Sequence, residues 1–291
     1  MTQLPAVLVP AHERLDATRR ALASLYAGGA RDVLLVDDER RGGGDALSRE
    51  FPALTVLPTD RAAYWTGSIV AGMRWAFGRG HASVLFHNQD VTLLPGYFEA
   101  LLATAGDNPE ALVGSAVLYG QRPDTVWSAG GRVEWWGRGI VVVGHGAPAS
   151  SLPASPYPVD WLFGMGTLVP RCAAERIGEP DAERFPMAWG DADYSLRARA
   201  AGIPLLVEPR ARLLHEVGAY DARVAGAPTL SRYVGWLADP KHNLSLASHA
   251  EIWRRHGPRG VWPLSLALRC AALGLNFLRM RILFRREAAR A

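Results

Sequence analysis

The sequence predicts an α/β fold: a doubly wound, mostly parallel sheet flanked by helices, with a basic amphipathic helical appendage at its C-terminal end. Short apolar runs without polar alternation recur between residues 6 and 86, as in strands covered on both faces. Segments with apolar residues at helical spacing separate them, which is the alternation of a parallel sheet with crossover helices. Charge is divided unevenly as well. Nine arginines against Glu251 and Glu287 give residues 251–291 a charge of +7, so the other 250 residues carry −3 of the chain's +4. The body is slightly acidic, which argues against nucleic acid as its partner.

At 291 residues, 49% hydrophobic and 21% charged, the chain can bury one substantial core. Cys172 and Cys270 lie far apart, form no metal-ligand spacing and read as reduced thiols of a cytosolic protein. The first ten residues lack the basic start and long apolar run of a signal peptide and fit a buried strand instead.

Ala6-Val7-Leu8-Val9 is the first strand, ended by Pro10. Leu15, Leu22 and Leu25 keep helical spacing up to Tyr26, and Gly28-Gly29 stops that helix. A second strand over residues 32–37 runs into Asp37-Asp38. The glycines at 42–44 lack the spacing of a phosphate-cradling loop and read as a mobile loop. A third strand is expected around residues 54–57, a helix through Ile69, Met73, Ala76 and Phe77, and a fourth strand over residues 83–86. After His87-Asn88-Gln89-Asp90-Val91 the pattern predicts a helix over 94–105 and a strand over 111–118. Residues 122–158, rich in Gly, Pro, Ser and Trp, are expected to form loops and hairpins, with 141–143 as the clearest strand. A helix over 193–201 and two strands, 204–207 and 211–215, complete a domain of residues 1–220, nucleotide-binding to about residue 91 and acceptor-binding from 92. Residues 221–291 form the appendage.

Open α/β sheets hold ligands just beyond the carboxyl ends of their strands. That singles out residues 10–14, 37–38 and 87–91. A diphosphate leaving group concentrates negative charge, and a hard divalent ion bridging its oxygens needs oxygen ligands from the protein. Asp90 offers a carboxylate at a strand end, where it is badly placed for core packing. Asn88 offers an amide oxygen with less charge. A polar turn cap would use the same residue types.

Six stretches stand in a telling order: Val9-Pro10…Arg14, Val36-Asp37-Asp38, Asn88-Gln89-Asp90-Val91, Val159-Asp160-Trp161-Leu162-Phe163-Gly164, Gly190-Asp191-Ala192-Asp193-Tyr194-Ser195-Leu196-Arg197 and Leu214-His215-Glu216. Together they resemble the inverting GT-A glycosyltransferases of family 2, and among these the rhamnosyltransferase-like branch, over roughly residues 4 to 218. The resemblance implies a GT-A fold. It also implies metal-dependent transfer of a sugar, rhamnose being a candidate, from a dTDP or UDP donor to a hydroxyl of a glycan or lipid-linked acceptor in surface polysaccharide synthesis. Asp90 and His215 would hold Mn2+ or Mg2+, and Asp191 would be the catalytic base. Pro10, His12, Arg14, Asp37, Asp38, Asp60, Arg61, Gly67 and Asn88 would bind the nucleotide. Trp161, Gly164, Trp189 and Asp193 would meet sugar or acceptor, with Asp193 also capping its helix. Two departures stand out: Asn88 replaces a common aspartate, and Gly190-Asp191 replaces a common Glu-Asp. Tryptophans also serve as core residues, and a strand-end histidine or helix-start aspartate can be purely structural.

Two rivals differ in class. A sugar-nucleotide nucleotidyltransferase would show a Gly-rich loop after the first strand, where this chain has Pro10-Ala11-His12-Glu13-Arg14. A non-catalytic membrane-associated glycan- or nucleotide-binding protein on the same fold would release no nucleoside diphosphate. In the appendage, Ser265, Arg269, Asn276, Arg279 and Arg286 share one helical arc, and leucines cover much of the rest. Arg269 interrupts the apolar stretch, leaving runs too short to span a bilayer. It fits peripheral attachment to the cytoplasmic membrane or, alternatively, docking on the domain.

Overall fold

The computed structural model describes residues 3–38, 43–216 and 229–288, with the side chains of Arg61 and of 283–288 outside that description. Its first part winds as the apolar pattern requires: β1 (Ala6–Ala11), α1 (Leu15–Ala27), β2 (Val33–Asp37), α2 (Gly43–Glu50), β3 (Thr55–Pro58), α3 (Tyr64–Gly78) and β4 (Ser83–Phe86). These strands are mutually parallel in the order β3-β2-β1-β4. Leu8, Leu34, Val36 and Phe86 face one buried cluster with Ile69 and Met73 of α3. Val7, Val9, Val33 and Leu35 face another with Leu22 and Leu25 of α1. Both faces are covered, so the runs show no alternation.

β5 (Val91–Leu93), α4 (Tyr97–Asp107), β6 (Leu112–Tyr119), β7 (Arg122–Ser128), β8 (Gly131–Glu134), β9 (Gly139–Val142), β10 (Tyr157–Pro158), β11 (Thr167–Pro170), α5 (Arg171–Ile177), α6 (Gly190–Ala200) and β12 (Leu205–His215) follow. The sheet continues from β4 through β11, β6 and β12 to β10, with β5 on β12 and β7 on β6. β11 is antiparallel to both its neighbours, whereas β6 and β12 are parallel. α7 (Leu230–Ala238), α8 (Leu246–His256) and α9 (Trp262–Ala288) end the described chain.

Four expectations are corrected. The strands at 204–207 and 211–215 are one strand, β12, whose pairing to β6 slips between Glu208 and Arg212. Pro209 has no N–H to give the ladder, and the buried Glu208 carboxylate accepts from Arg210 N at 2.8 Å and Thr104 Oγ1 at 2.6 Å. The helix expected from 94 starts at Tyr97, because residues 91–93 pair with β12 instead. α6 starts at Gly190, not 193, so Asp191 lies inside its first turn. The supposed loop at 42–44 is the start of α2 at Gly43 and Gly44, while Gly42 lies outside the described residues. The expected boundary at residue 220 also lies outside them. Phe185 and Leu196 share a buried cluster with Ile252 and Trp253 of α8, so the C-terminal helices close the core beside α6.

Candidate active site

β1 and β2 end side by side, with Ala11 opposite Asp37. Beyond their ends opens a cleft of about 470 Å³ whose lining includes His12, Arg14, Asp37, Gly44 and Gln89. Gln89 fixes its rim. Its amide nitrogen donates to the His12 carbonyl at 2.8 Å, and its amide oxygen accepts from His12 N at 2.9 Å and Thr18 Oγ1 at 3.0 Å. His12 Nδ1 donates to Asp38 Oδ1 at 2.8 Å, and Gly44 N donates to Asp37 Oδ2 at 3.1 Å. A Cβ at Gly44 would stand 2.6 Å from that carboxylate oxygen, so the close approach of α2 to β2 needs glycine here. Gly43 and Gly44 thus contribute a cleft wall, which their spacing did not reveal.

Other expected nucleotide residues are not in the lining of this cleft. Pro10 is held in the sheet opposite Val36. Asp60 accepts from Ala62 N at 3.0 Å and caps a single helical turn, and the Arg61 side chain is outside the described set. Gly67 faces the Cβ atoms of Ala63 and Ala182, a helix-packing position and not a cleft position.

The turn after β4 meets the end of β12. Val91 pairs with His215, Glu216 N donates to the Asp90 carbonyl at 2.9 Å, and Arg20 holds Glu216 through two bonds of 2.7 and 2.6 Å. This brings His215 Nε2 to 3.7 Å from Asp90 Oδ2, while Arg14 Nη1 donates to the same oxygen at 2.6 Å. Burial raises the Asp90 carboxyl, but His215 and Arg14 outweigh it and hold the group below its ordinary value. The Asn88 amide oxygen accepts from Trp65 Nε1 at 2.9 Å. His87 is fully buried beside this turn, and burial lowers it to about 4, so it stays neutral at pH 7.

No group of three His, Cys, Asp or Glu side chains suited to a metal occurs among the described residues. The pair Asp90 and His215 still fits a divalent cation as two protein ligands, one carboxylate oxygen and one imidazole nitrogen close enough to share an ion. Manganese or magnesium accepts such donors with phosphate oxygens and water completing the shell.

Asp191 projects from the first turn of α6. Its Oδ2 accepts from Gly164 N and its Oδ1 from Ala192 N, both at 2.8 Å. Burial nevertheless pushes its carboxyl above the ordinary value against these bonds. A side chain at Gly164 would run into the Trp65 ring, so Trp65 bridges the loop that positions Asp191 and the amide of Asn88. A second link is aromatic: His215 lies 4.8 Å edge-on to Trp127, Trp127 5.0 Å from Phe163, and Phe163 4.3 Å from Trp161. Gln89 and Trp127 were not among the expected site residues, and only the adjacency of Gln89 to Asp90 hinted at either; Trp65 was expected to offer its face to a sugar ring, not to hold Asn88.

Two expected acceptor residues are corrected. Asp193 is fully buried and neither caps α6 nor faces a cleft. His256 Nε2, Arg255 Nη1 and Arg197 Nε reach it at 2.9, 3.1 and 3.0 Å. Trp161 is 4% exposed and packs in the core, with no open face for a sugar. Trp189 stays half-buried, edge-on to His249 at 4.9 Å, and its indole donates to the Asn243 carbonyl at 3.1 Å. Its φ of 71° makes the sharp turn that launches α6.

The architecture is similar to that in a crystal structure of GalNAc-T7 with UDP, GalNAc and Mn2+, with a TM-score of 0.61 and 12% identity. The similarity covers 73% of this chain and 44% of that one, so this chain spans less than half of that relative's length. No curated protein matches. Residues 6–145 match the family model described as Glycosyl transferase family 2. Residues 6–145 are thus similar to family 2 glycosyl transferases, and the likeness in architecture shows a GT-A-like fold that continues through β12.

Proposed function

We propose that the protein is an inverting glycosyltransferase that moves a sugar from a nucleoside diphosphate to a hydroxyl of a glycan or lipid-linked acceptor. The observation that carries the reading is the meeting of Asp90 and His215, 125 residues apart in sequence, at 3.7 Å beside the cleft beyond β1 and β2. His12, Asp37, Gly44 and Gln89 would bind the base and ribose, and Arg14 would reach the diphosphate. Asp90 and His215 would hold manganese or magnesium, which when bound stabilises the charge on the departing diphosphate. The structural relative's UDP and Mn2+ support this assignment. Asp191 would take the proton of the attacking hydroxyl, and a carboxyl raised by burial is a stronger base than an ordinary aspartate. The motif order makes dTDP-rhamnose a first donor to test beside UDP sugars.

The test is release of nucleoside diphosphate from a donor panel with manganese and acceptor. Asp191→Asn is expected to lower kcat by roughly a hundredfold or more while donor binding by calorimetry is retained. Because the base must be ionised, kcat/KM for the native protein rises with pH through a value above the ordinary aspartate range. A variant that keeps near-native kcat would remove Asp191 from the base role. Absence of both release and binding for every donor would overturn the transferase reading.

A further inference from the structure

Helix α9 turns part of its polar arc inward, beside the buried Leu273, and leaves a row of large aliphatic side chains outside. A surface helix normally turns apolar residues to the core and polar ones to water. Here Ser265 is fully buried; its hydroxyl accepts from Trp253 Nε1 at 2.9 Å and donates to the Trp135 carbonyl. One turn on, Arg269 Nη2 reaches His249 Nε2 at 3.4 Å. Further along, Tyr233 of α7 donates to the Leu273 carbonyl at 2.6 Å and packs 5.0 Å from Phe277. That is the side facing the protein.

Leu264, Leu268, Leu275, Leu278 and Ile282 are 45–66% exposed, and the exposed Ala271 fills the gap between Leu268 and Leu275. Steps of three and four residues place them in one continuous stripe. A row of large aliphatic side chains of this length marks an interaction face. From 252 to 286 the chain has eight arginines and no acidic residue. Arg254 and Arg255 pair with Glu251, Asp181 and Asp193. Arg259 and Arg279 are exposed, without an ion pair among the described residues.

The stripe has the spacing of a coiled-coil seam, so a second copy is the obvious rival. Its flanks count against that. Ala267 and Gly274 offer no charge, Arg279 and Arg281 offer only positive charge, and the one acidic residue of a second copy's α9, Glu287, stands at its far end. An anionic surface supplies what a second copy lacks. No helix among the described residues is long and apolar enough to cross a membrane.

We propose that α9 lies flat on an anionic bilayer, with Leu264, Leu268, Leu275, Leu278 and Ile282 at the boundary of headgroups and acyl chains and Arg279 among the headgroups. The proposal does not depend on the transferase reading, because its test reads binding alone. The full chain is sedimented with vesicles of equal parts phosphatidylglycerol and phosphatidylcholine, and separately with phosphatidylcholine alone. Binding to the mixed vesicles only is expected. Leu275→Ser with Leu278→Ser weakens it by roughly tenfold or more, and Arg279→Gln by about fivefold, with the circular dichroism unchanged. Equal binding to both vesicle types, or retention in the double variant, would overturn the proposal. A dimer by light scattering that the double variant converts to a monomer would also overturn it, and would assign the stripe to a second copy.

Discussion

Asp191 and Asp193 stand two residues apart in α6, and their surroundings act on them in opposite directions. Burial raises Asp191, which has only backbone N–H groups as partners. Burial also opposes ionisation of Asp193, but the hydrogen bond from His256 and the charges of Arg197, His256 and Arg255 overcome it and lower the carboxyl. Asp193 is therefore a structural anchor. Asp193→Asn leaves two arginines without their buried counter-charge and is expected to cost about 3 kcal/mol, measured by urea unfolding at pH 7. The sign of the pH dependence follows from the depressed folded value. The stabilisation is present above the ordinary carboxylate value of ~4 and is lost as pH falls through the lower folded value. The gap between native protein and variant accordingly closes in acid. The carboxylates at 191 and 193 were legible as a helix start. Their division of labour was not, because it is set by Arg255 and His256, more than sixty residues downstream.

At the scale of elements, the parallel half of the sheet was legible because each strand is buried on both faces and each crossover helix has one apolar stripe. Pairing slips and very short strands were not. Pro209 splits the apolar run of β12 without ending the strand, and β5 has three residues, too few for a periodicity to register. The loop at Gly164 shows how an element positions a carboxylate. Its N–H holds Asp191 and its missing side chain admits the Trp65 ring. Gly164→Ala is expected to cost about 1–3 kcal/mol through overpacking and to lower kcat more than it changes donor affinity. Calorimetry beside steady-state kinetics checks the split. An equal loss of donor binding would mean that the loop serves the nucleotide and not the base. Helix α9 carries the opposite lesson: its polar arc was visible in the sequence, but that Ser265 and Arg269 of that arc face the protein was fixed by Trp253 and His249.

Across the whole molecule, the site is assembled from distant parts of the chain. The cleft belongs to the first 90 residues, whereas Asp191 and His215 come from beyond the segment matching family 2. α8 then braces α6 through Phe185, Leu196, Ile252 and Trp253, so the helix bearing Asp191 depends on residues after 229. Between the two halves runs the file His215, Trp127, Phe163, Trp161. Its spectroscopic consequence is that the protein has a built-in fluorophore beside the imidazole. Manganese titrated into the UDP-loaded protein is expected to quench tryptophan emission, although ten tryptophans share the signal. Trp127→Phe is expected to abolish most of that quenching and to leave UDP affinity intact. Undiminished quenching in Trp127→Phe would locate the ion away from His215. With Trp127 as reporter, ion occupancy is read as light, without any knowledge of donor sugar or acceptor.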